Sequence, residues 1–271
     1  MFEAIKKFFS STQKEIVHAH KRGESVCGID IGSGSIKVVQ IKEERGKVIL
    51  ETYGALPLGP LGGEPIGKPV RIDEASLAKA INQAMTEARI TAKSFVVSFQ
   101  SQSILVFTVT LPKATADKLD AIIPTEARKY IPIPITEVSL DWFIIPEKQF
   151  DADTGSQKDT IDVLVVAIRN ETLDTYNKIM TQAQLPQKSF EIEVFATMRS
   201  VLRREIAPVM IVDIGTGTSS IFVAEYGVMR MFHVVNRGSS FVTETIMRGM
   251  NVSFEKAEEL KFNAVRTPEV Q

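Results

Sequence analysis

The six residues Asp30-Ile-Gly-Ser-Gly-Ser35 return as Asp213-Ile-Gly-Thr-Gly-Thr218. The likeness extends on both sides of each copy. A short apolar run precedes it, at residues 26–29 and 209–212, and a strand-like run follows, at 36–41 and 220–224. Then come a glycine turn (Glu44-Arg45-Gly46 and Tyr226-Gly227), a third strand (48–53 and 229–235) and a helical stretch (74–89 and 240–249). Strand, glycine turn, strand, turn, strand, helix thus occurs twice. The spacing is too long for a solenoid and reads as an α/β fold of two related lobes facing one another.

Different material lies between the copies. Residues 95–99 and 104–109 read as strands, and 116–130 as a helix that Pro124 should kink. Tyr130-Ile-Pro-Ile-Pro134 ends that helix, and strands at 138–145 and 161–169 flank a polar loop at 148–160. This strand–helix–strand–strand unit reads as an inserted subdomain. A helix at 173–184 and a strand at 190–194 lead back to the first lobe, and a helix at 196–204 crosses to the second. The expected division is 25–93 with 187–205 for the first lobe, 94–186 for the insert and 206–271 for the second lobe. Residues 1–24 stand apart as a basic amphipathic segment, with Phe2, Ile5, Phe9 and Ile16 near helical spacing and Lys6, Lys7 and Lys14 between them. Such a segment lies on a membrane surface or a partner, or folds onto its own domain. Thr12 and His20 interrupt its stripe, which favours the last.

Composition excludes several classes. Lys+Arg 32 against Asp+Glu 33 gives a net charge of −1, without the basic excess that general phosphate attraction to nucleic acid needs. One cysteine excludes an intramolecular disulfide and a cysteine-cluster metal site, and fits a reducing cytoplasm. Three scattered histidines make neither a zinc centre nor a histidine-based triad. No apolar run approaches the roughly 20 residues of a spanning helix, and no h-region follows the N-terminal lysines.

An Asp-Ile-Gly-x-Gly-x turn between two strands has a definite chemical use. Its glycines leave room for backbone N–H groups to converge on an anion. The hydroxyls of Ser33, Ser35, Thr216 and Thr218 add donors, and Lys37 can neutralise a phosphate. Asp30 and Asp213 repel phosphate directly. They make sense if they orient a hydrated Mg²⁺ that bridges phosphate oxygens. Two turns, one per lobe, can clamp a polyphosphate from both sides, with Gly32, Gly34, Gly215 and Gly217 supplying backbone donors. A single such turn also occurs in hairpins without a ligand, but a turn requirement alone does not explain the aspartate in both copies. There is no P-loop, and no Gly-x-Gly-x-x-Gly opens a helix; both glycine turns run into strands. Glu193 would polarise an attacking water if it faces the cleft, and is otherwise a structural carboxylate. Cys27 reads as core packing.

The two turns resemble the phosphate-1 and phosphate-2 motifs of the actin, heat-shock chaperone and sugar-kinase superfamily, whose lobes have the ribonuclease H-like fold. The insert resembles that of the FtsA/PilM branch. Gly28-Ile-Asp-Ile-Gly-Ser-Gly-Ser-Ile-Lys-Val-Val39, Glu126-Ala-Arg-Lys-Tyr-Ile-Pro-Ile-Pro134, Asp162-Val-Leu-Val-Val-Ala167, Glu191-Ile-Glu-Val-Phe-Ala196 and Ala257-Glu-Glu-Leu-Lys261 are similar to the PilM family of type IV pilus assembly. The resemblance implies a cytoplasmic scaffold, peripheral to the inner membrane, that binds ATP and Mg²⁺ and is at most a slow ATPase. Its implied partners are the N-terminal tail of a PilN-like protein, held in a groove between the first lobe and the insert, and the pilus motor ATPases and platform protein. It also implies roles: Asp30 and Asp213 on the metal, Gly32, Ser33, Gly34, Ser35, Lys37, Gly215, Thr216, Gly217 and Thr218 on the phosphates, and Glu193 near the attacking water. An FtsA-like division scaffold and a small-molecule kinase of the same fold are the alternatives. Relatives continue past the segment matching 252–262, so the second lobe is expected to be incomplete, with apolar surface exposed near Phe254, Leu260 and Phe262. Arg237-Gly238 stands where relatives carry Gly-Gly.

Overall fold

The structure is a computed structural model that describes residues 23–145, 159–185, 187–202 and 207–264. The amphipathic stretch, apart from its last two residues, and nearly all of the expected polar loop lie outside the described residues. In chain order the strands are β1 (Ser25–Ile31), β2 (Ser35–Glu44), β3 (Lys47–Pro57), β4 (Ser94–Phe99), β5 (Ile104–Pro112), β6 (Val138–Ile144), β7 (Thr160–Arg169), β8 (Gln187–Ile192), β9 (Val209–Ile214), β10 (Ser219–Glu225) and β11 (Val228–Val235). The helices are α1 (Glu74–Glu87), α2 (Leu119–Ala127), α3 (Asn170–Gln182), α4 (Glu193–Val201), α5 (Ser239–Met250) and α6 (Phe254–Ala264). Residues 103–176 form one compact unit and the other described residues a second, larger one.

The larger unit contains both copies of the repeat. Its first sheet has the order β3-β2-β1-β4-β8, and its second the order β11-β10-β9. The copies match in detail. The Gly32 N–H donates to the Ser35 carbonyl at 3.0 Å, and the Gly215 N–H to the Thr218 carbonyl at 2.9 Å. Asp30 stands opposite Lys37, and Asp213 opposite Ser220. The ladder slips between Gln40 and Ile41 in the first copy and between Val223 and Ala224 in the second, at equivalent positions. Each second hairpin turns on two residues of positive φ, Arg45 and Gly46 in one and Tyr226 and Gly227 in the other. That pairing suits the twist of the flanking strands, and glycine adopts it without steric cost.

Alternation places Ile29, Ile36 and Val38 on one face of the first sheet, buried under α1 with Ala78, Ile81 and Ala84. The Asp73 side chain starts α1 by accepting the Ser76 N–H at 2.9 Å. Buried Gln40 has every amide group used: Oε1 accepts from Thr91 N and Ala92 N, and Nε2 donates to Glu51 and Thr91 Oγ. It ties β2 to the segment entering β4.

Four expectations are corrected. Residues 94–99 were grouped with the insert, but β4 lies parallel to β1 in the first sheet, because its side chains Phe95, Val97 and Phe99 belong to that buried face. The helix expected over 116–130 is α2 alone; it runs through Pro124, is preceded by a 3-10 turn at Lys113–Lys118, and gives way to turns in which Lys129 N donates to the Glu126 carbonyl and Tyr130 N to that of Ala127. β8 ends at Ile192 and α4 begins at Glu193, so Glu193 sits on a first helical turn rather than in a strand. An acidic residue is favoured there by the helix dipole. Phe254, expected on an exposed surface, is buried at the start of α6, whereas Phe262 is 60% exposed.

In the smaller unit the sheet order is β5-β7-β6. Val109, Leu111, Ile123, Ile161, Val163 and Val165 form its core. The Tyr-Ile-Pro-Ile-Pro segment closes the other end, with Ile131 packed on Ala127, Val138 and Ala167, and Tyr130 stacked on Phe107 at 4.6 Å. No helix among the described residues is long and apolar enough to cross a membrane.

Candidate functional site

The two Asp-Ile-Gly turns of the larger unit face each other across one cavity of about 400 Å³. They approach so closely that a Cβ at Gly34 would overlap the Thr216 side chain, and one at Gly217 would stand 3.0 Å from Ser33 Oγ. Helix α5 begins directly behind the second turn. Ser239 N donates to the Gly215 carbonyl at 2.8 Å and Ser240 N to that of Thr216 at 3.1 Å. A Cβ at Gly238 would overlap both of those carbonyls, so of the pair Arg237-Gly238 only the second position demands glycine.

Of the residues singled out in the sequence, Asp30, Gly32, Ser33, Gly34, Ser35, Lys37, Glu193, Asp213, Gly215, Thr216 and Thr218 all line this cavity. Gly217 does not; it packs between Ser33 and Pro69. Glu191 does not either, being buried in an ion pair with Arg199. Sequence reasoning missed a polar wall made by Ser98 in β4, by Gln100, Ser101 and Gln102 just after it, and by Thr197 and Ser200 on α4. The available signal was the run Ser98-Phe-Gln-Ser-Gln-Ser103 at the carboxyl end of a parallel strand, where open α/β sheets bind ligands.

The charges are organised around Lys37. Its Nζ donates to Asp30 Oδ2 at 2.9 Å, and Ser98 Oγ donates to Asp30 Oδ1 at 2.9 Å. Burial pulls the Lys37 ammonium down, but Asp30, with Glu193 and Asp213, more than offsets this and leaves it above the usual lysine value. Glu193 Oε2 accepts from Ser101 N at 3.0 Å and Ser101 Oγ at 2.8 Å. Burial raises the Glu193 carboxyl; the Ser101 hydrogen bonds oppose the shift, and Asp30 and Asp213 add to it. Asp213, by contrast, has no side-chain hydrogen bond or ion pair among the described residues. Nor is any group of three or more Asp, Glu, His or Cys among them placed to hold a metal. This donor set fits Mg²⁺, which takes one or two carboxylates and completes its octahedron with water and phosphate oxygens. It does not fit a closed, all-protein metal cage.

A second surface runs from the same corner. On the face of the first sheet opposite α1, Val39 pairs with Tyr53, Ile41 with Leu50 and Glu43 with Val48. Val48, Leu50 and Tyr53 are 71%, 55% and 72% exposed. Gly28, opposite Val39, leaves that face without a side chain at its centre. One step along the same face lies the Asp30–Lys37 pair.

Residues 28–269 match the family model for the type IV pilus assembly protein PilM. The chain belongs to the PilM family. A solved PilM–PilN type IV pilus biogenesis complex shares the fold at a TM-score of 0.71 and 22% identity, over 89% of this chain and 70% of that one. The cytoplasmic domain of EpsL, an inner membrane component of the Vibrio cholerae type II secretion system, matches at a TM-score of 0.50 and 12% identity, over 82% of this chain and 75% of that one. Cell division protein FtsA of Streptococcus pneumoniae is 25% identical over 256 residues, covering 87% of this chain and 55% of FtsA. The chain thus spans about half the length of that curated relative. The fold is the actin-like α/β fold.

Proposed function

We propose that this PilM-family chain is a nucleotide-gated scaffold. It takes Mg·ATP in the cavity between the paired turns and carries the N-terminal tail of a PilN-like membrane protein on the apolar sheet face of the first lobe, in place of the groove expected beside the insert. The observation that supports the nucleotide half is the convergence of both turns, Lys37 and Asp213 on one cavity. The Gly32 and Gly215 N–H groups close the turns on themselves, so the donors left to hold phosphate oxygens are the backbone and hydroxyl groups of Ser33 to Ser35 in one lobe and of Thr216 and Thr218 in the other. Lys37 neutralises them on the side of the first lobe, where the second copy has only Ser220. Asp213, unengaged in the fold, orients the water shell of the metal, while Asp30 holds the Lys37 head in place. The metal, when bound, supplies charge neutralisation for the phosphates.

Turnover is at most slow. Glu193 is the carboxylate to which this reading gives the attacking water, and the Ser101 hydrogen bonds restrain it. Two lobes gripping one ligand give a cleft whose closed state the ligand favours, which suits signalling through assembly.

The partner half rests on the solved PilM–PilN complex as a structural neighbour and on the exposed Val39, Ile41, Val48, Leu50 and Tyr53 face. Patches of this kind mark interaction sites. Through that membrane-anchored partner the chain would lie in the cytoplasm against the inner membrane, within reach of the platform protein and the pilus motor ATPases. The test is calorimetric titration of a PilN-type N-terminal peptide into the chain, with and without Mg·ATP. Binding with a nucleotide-dependent affinity is expected; no peptide binding in either state contradicts the scaffold reading.

A further inference from the structure

Residues 58–70 leave β3 and, before reaching α1, lie against the first turn, Gly217 of the second turn and α6. The segment is fastened at both ends to the first turn. The Leu58 N–H donates to the Gly34 carbonyl and the Val70 N–H to the Ser33 carbonyl, each at 2.9 Å. Its middle is stiffened by a 3-10 turn at Gly59–Gly62, by a Glu64 N–H bond to the Gly59 carbonyl at 2.9 Å and by a Lys68–Glu64 ion pair at 2.6 Å. A Cβ at Gly59 would overlap the Pro65 carbonyl, so the turn closes only around glycine.

Its far side packs on the second lobe through Gly67 and Pro69, and Lys68 between them attracts Glu255 of α6. Pro69 packs on Gly217, where an added Cβ would stand 3.2 Å from the ring. Gly67, at φ +92°, lies against Glu258 of α6, and a Cβ there would be 2.8 Å from its carboxyl carbon. That carboxylate cannot easily swing away. It accepts from buried Thr243 Oγ at 2.5 Å and from Lys261 Nζ at 2.6 Å, and Lys261 also donates to Thr243 Oγ at 2.8 Å. Thr243 lies on α5, whose first two N–H groups hold the Gly215 and Thr216 carbonyls. A closed mechanical circuit results: first turn, segment 58–70, α6, α5, second turn, and back to the first turn through the Gly34–Thr216 contact.

We infer that residues 58–70 are a strap that holds the two turns at their closed spacing, and that it must lift from Gly217 and Glu258 before a bound nucleotide leaves. The first half stands on the contacts alone; the second rests on the nucleotide reading above. The strap is suited to the task because its anchors on the first lobe are backbone hydrogen bonds, whereas its seat on the second lobe is packing of Gly67 and Pro69 with the attraction of Lys68 for Glu255 of α6. The weaker side opens first.

The experiment uses the whole chain with Gly67→Ala and, separately, Pro69→Ala. Without nucleotide, hydrogen exchange at the Ser239, Ser240, Leu58 and Val70 amides should accelerate by about tenfold in both variants while α1 keeps its protection. Acceleration confined to 58–70, or none at Ser239 and Ser240, overturns the strap. With Mg²⁺ and a fluorescent ATP analogue, release from both variants should be about tenfold faster than from the wild type; unchanged release overturns its role as a gate. A wild-type chain that binds no analogue contradicts the nucleotide reading instead, and the exchange measurement still decides the strap.

Discussion

Gly34 of the first turn and Thr216 of the second are in contact so close that the missing Cβ of one makes room for the side chain of the other. The two turns are therefore one composite element, and the smallest addition should separate them. Gly34→Ala is expected to keep the fold but lower stability by about 1–3 kcal/mol, as overpacking does. Nucleotide binding should weaken with it. Thermal unfolding and a nucleotide titration check this together; a variant that binds and melts like the wild type shows that the contact is loose.

Glu193 gives a pH signature. Its carboxyl is raised above the ordinary 4.5, first by burial. Between that value and its raised value the folded chain keeps a proton that the unfolded chain has lost, so stability falls as pH rises through the window. Glu193→Gln removes the cost of ionising a buried group while leaving an oxygen for Ser101. The variant should melt higher than the wild type at about pH 7.5, with the difference shrinking as pH falls toward 4.5. A difference independent of pH would mean that the carboxyl is not desolvated in solution.

The duplicated turn, the meander around it and the helix after it were legible because each is local: a repeated six-residue motif, an alternation broken by a glycine hairpin, a helical spacing. The common bulge after Gln40 and Val223 was not, since nothing in either strand marks a slip in register. β4 was placed in the wrong unit for a related reason. Phe95-Val-Val-Ser-Phe99 reads as a strand, but which sheet receives it depends on β1 lying alongside, a contact nearly 70 residues distant in sequence. The site divides in the same way. The turns announce themselves by spacing, whereas the wall from Ser98 to Gln102 becomes part of the cavity only when parallel pairing brings Ser98 beside Asp30. Glu193 was found, but on the wrong element, because a strand ending where a helix starts leaves no loop residues to mark the change.

Cys27 offers a control on the fold. Burial pushes its thiol up to about 11, with a smaller opposing effect from the Val39 backbone. At about pH 8, roughly one thiol in a thousand is ionised. Alkylation of the folded chain should be very slow and become fast in denaturant. Rapid labelling of the native chain would show that β1 is not sealed beneath α1.

The exposed sheet face makes a separable prediction. Leu50→Asp and Tyr53→Asp place charges in the apolar strip without touching the cavity. Each should weaken binding of a PilN-type peptide by about tenfold or more and leave nucleotide affinity unchanged. Both residues are exposed, so the melting temperature should barely move. Peptide affinity indifferent to both substitutions would exclude this face as the docking surface.

The central claim is that two facing turns, with Asp213 left unengaged, hold a magnesium-bearing nucleotide. Isothermal titration of ATP into the chain, with Mg²⁺ and with a chelator, and repeated with Asp213→Asn, tests it directly. Binding should require Mg²⁺ in the wild type and lose that requirement, with about tenfold or greater weakening, in the variant. Equal heats with and without Mg²⁺, or a variant that binds Mg·ATP as well as the wild type, would contradict it.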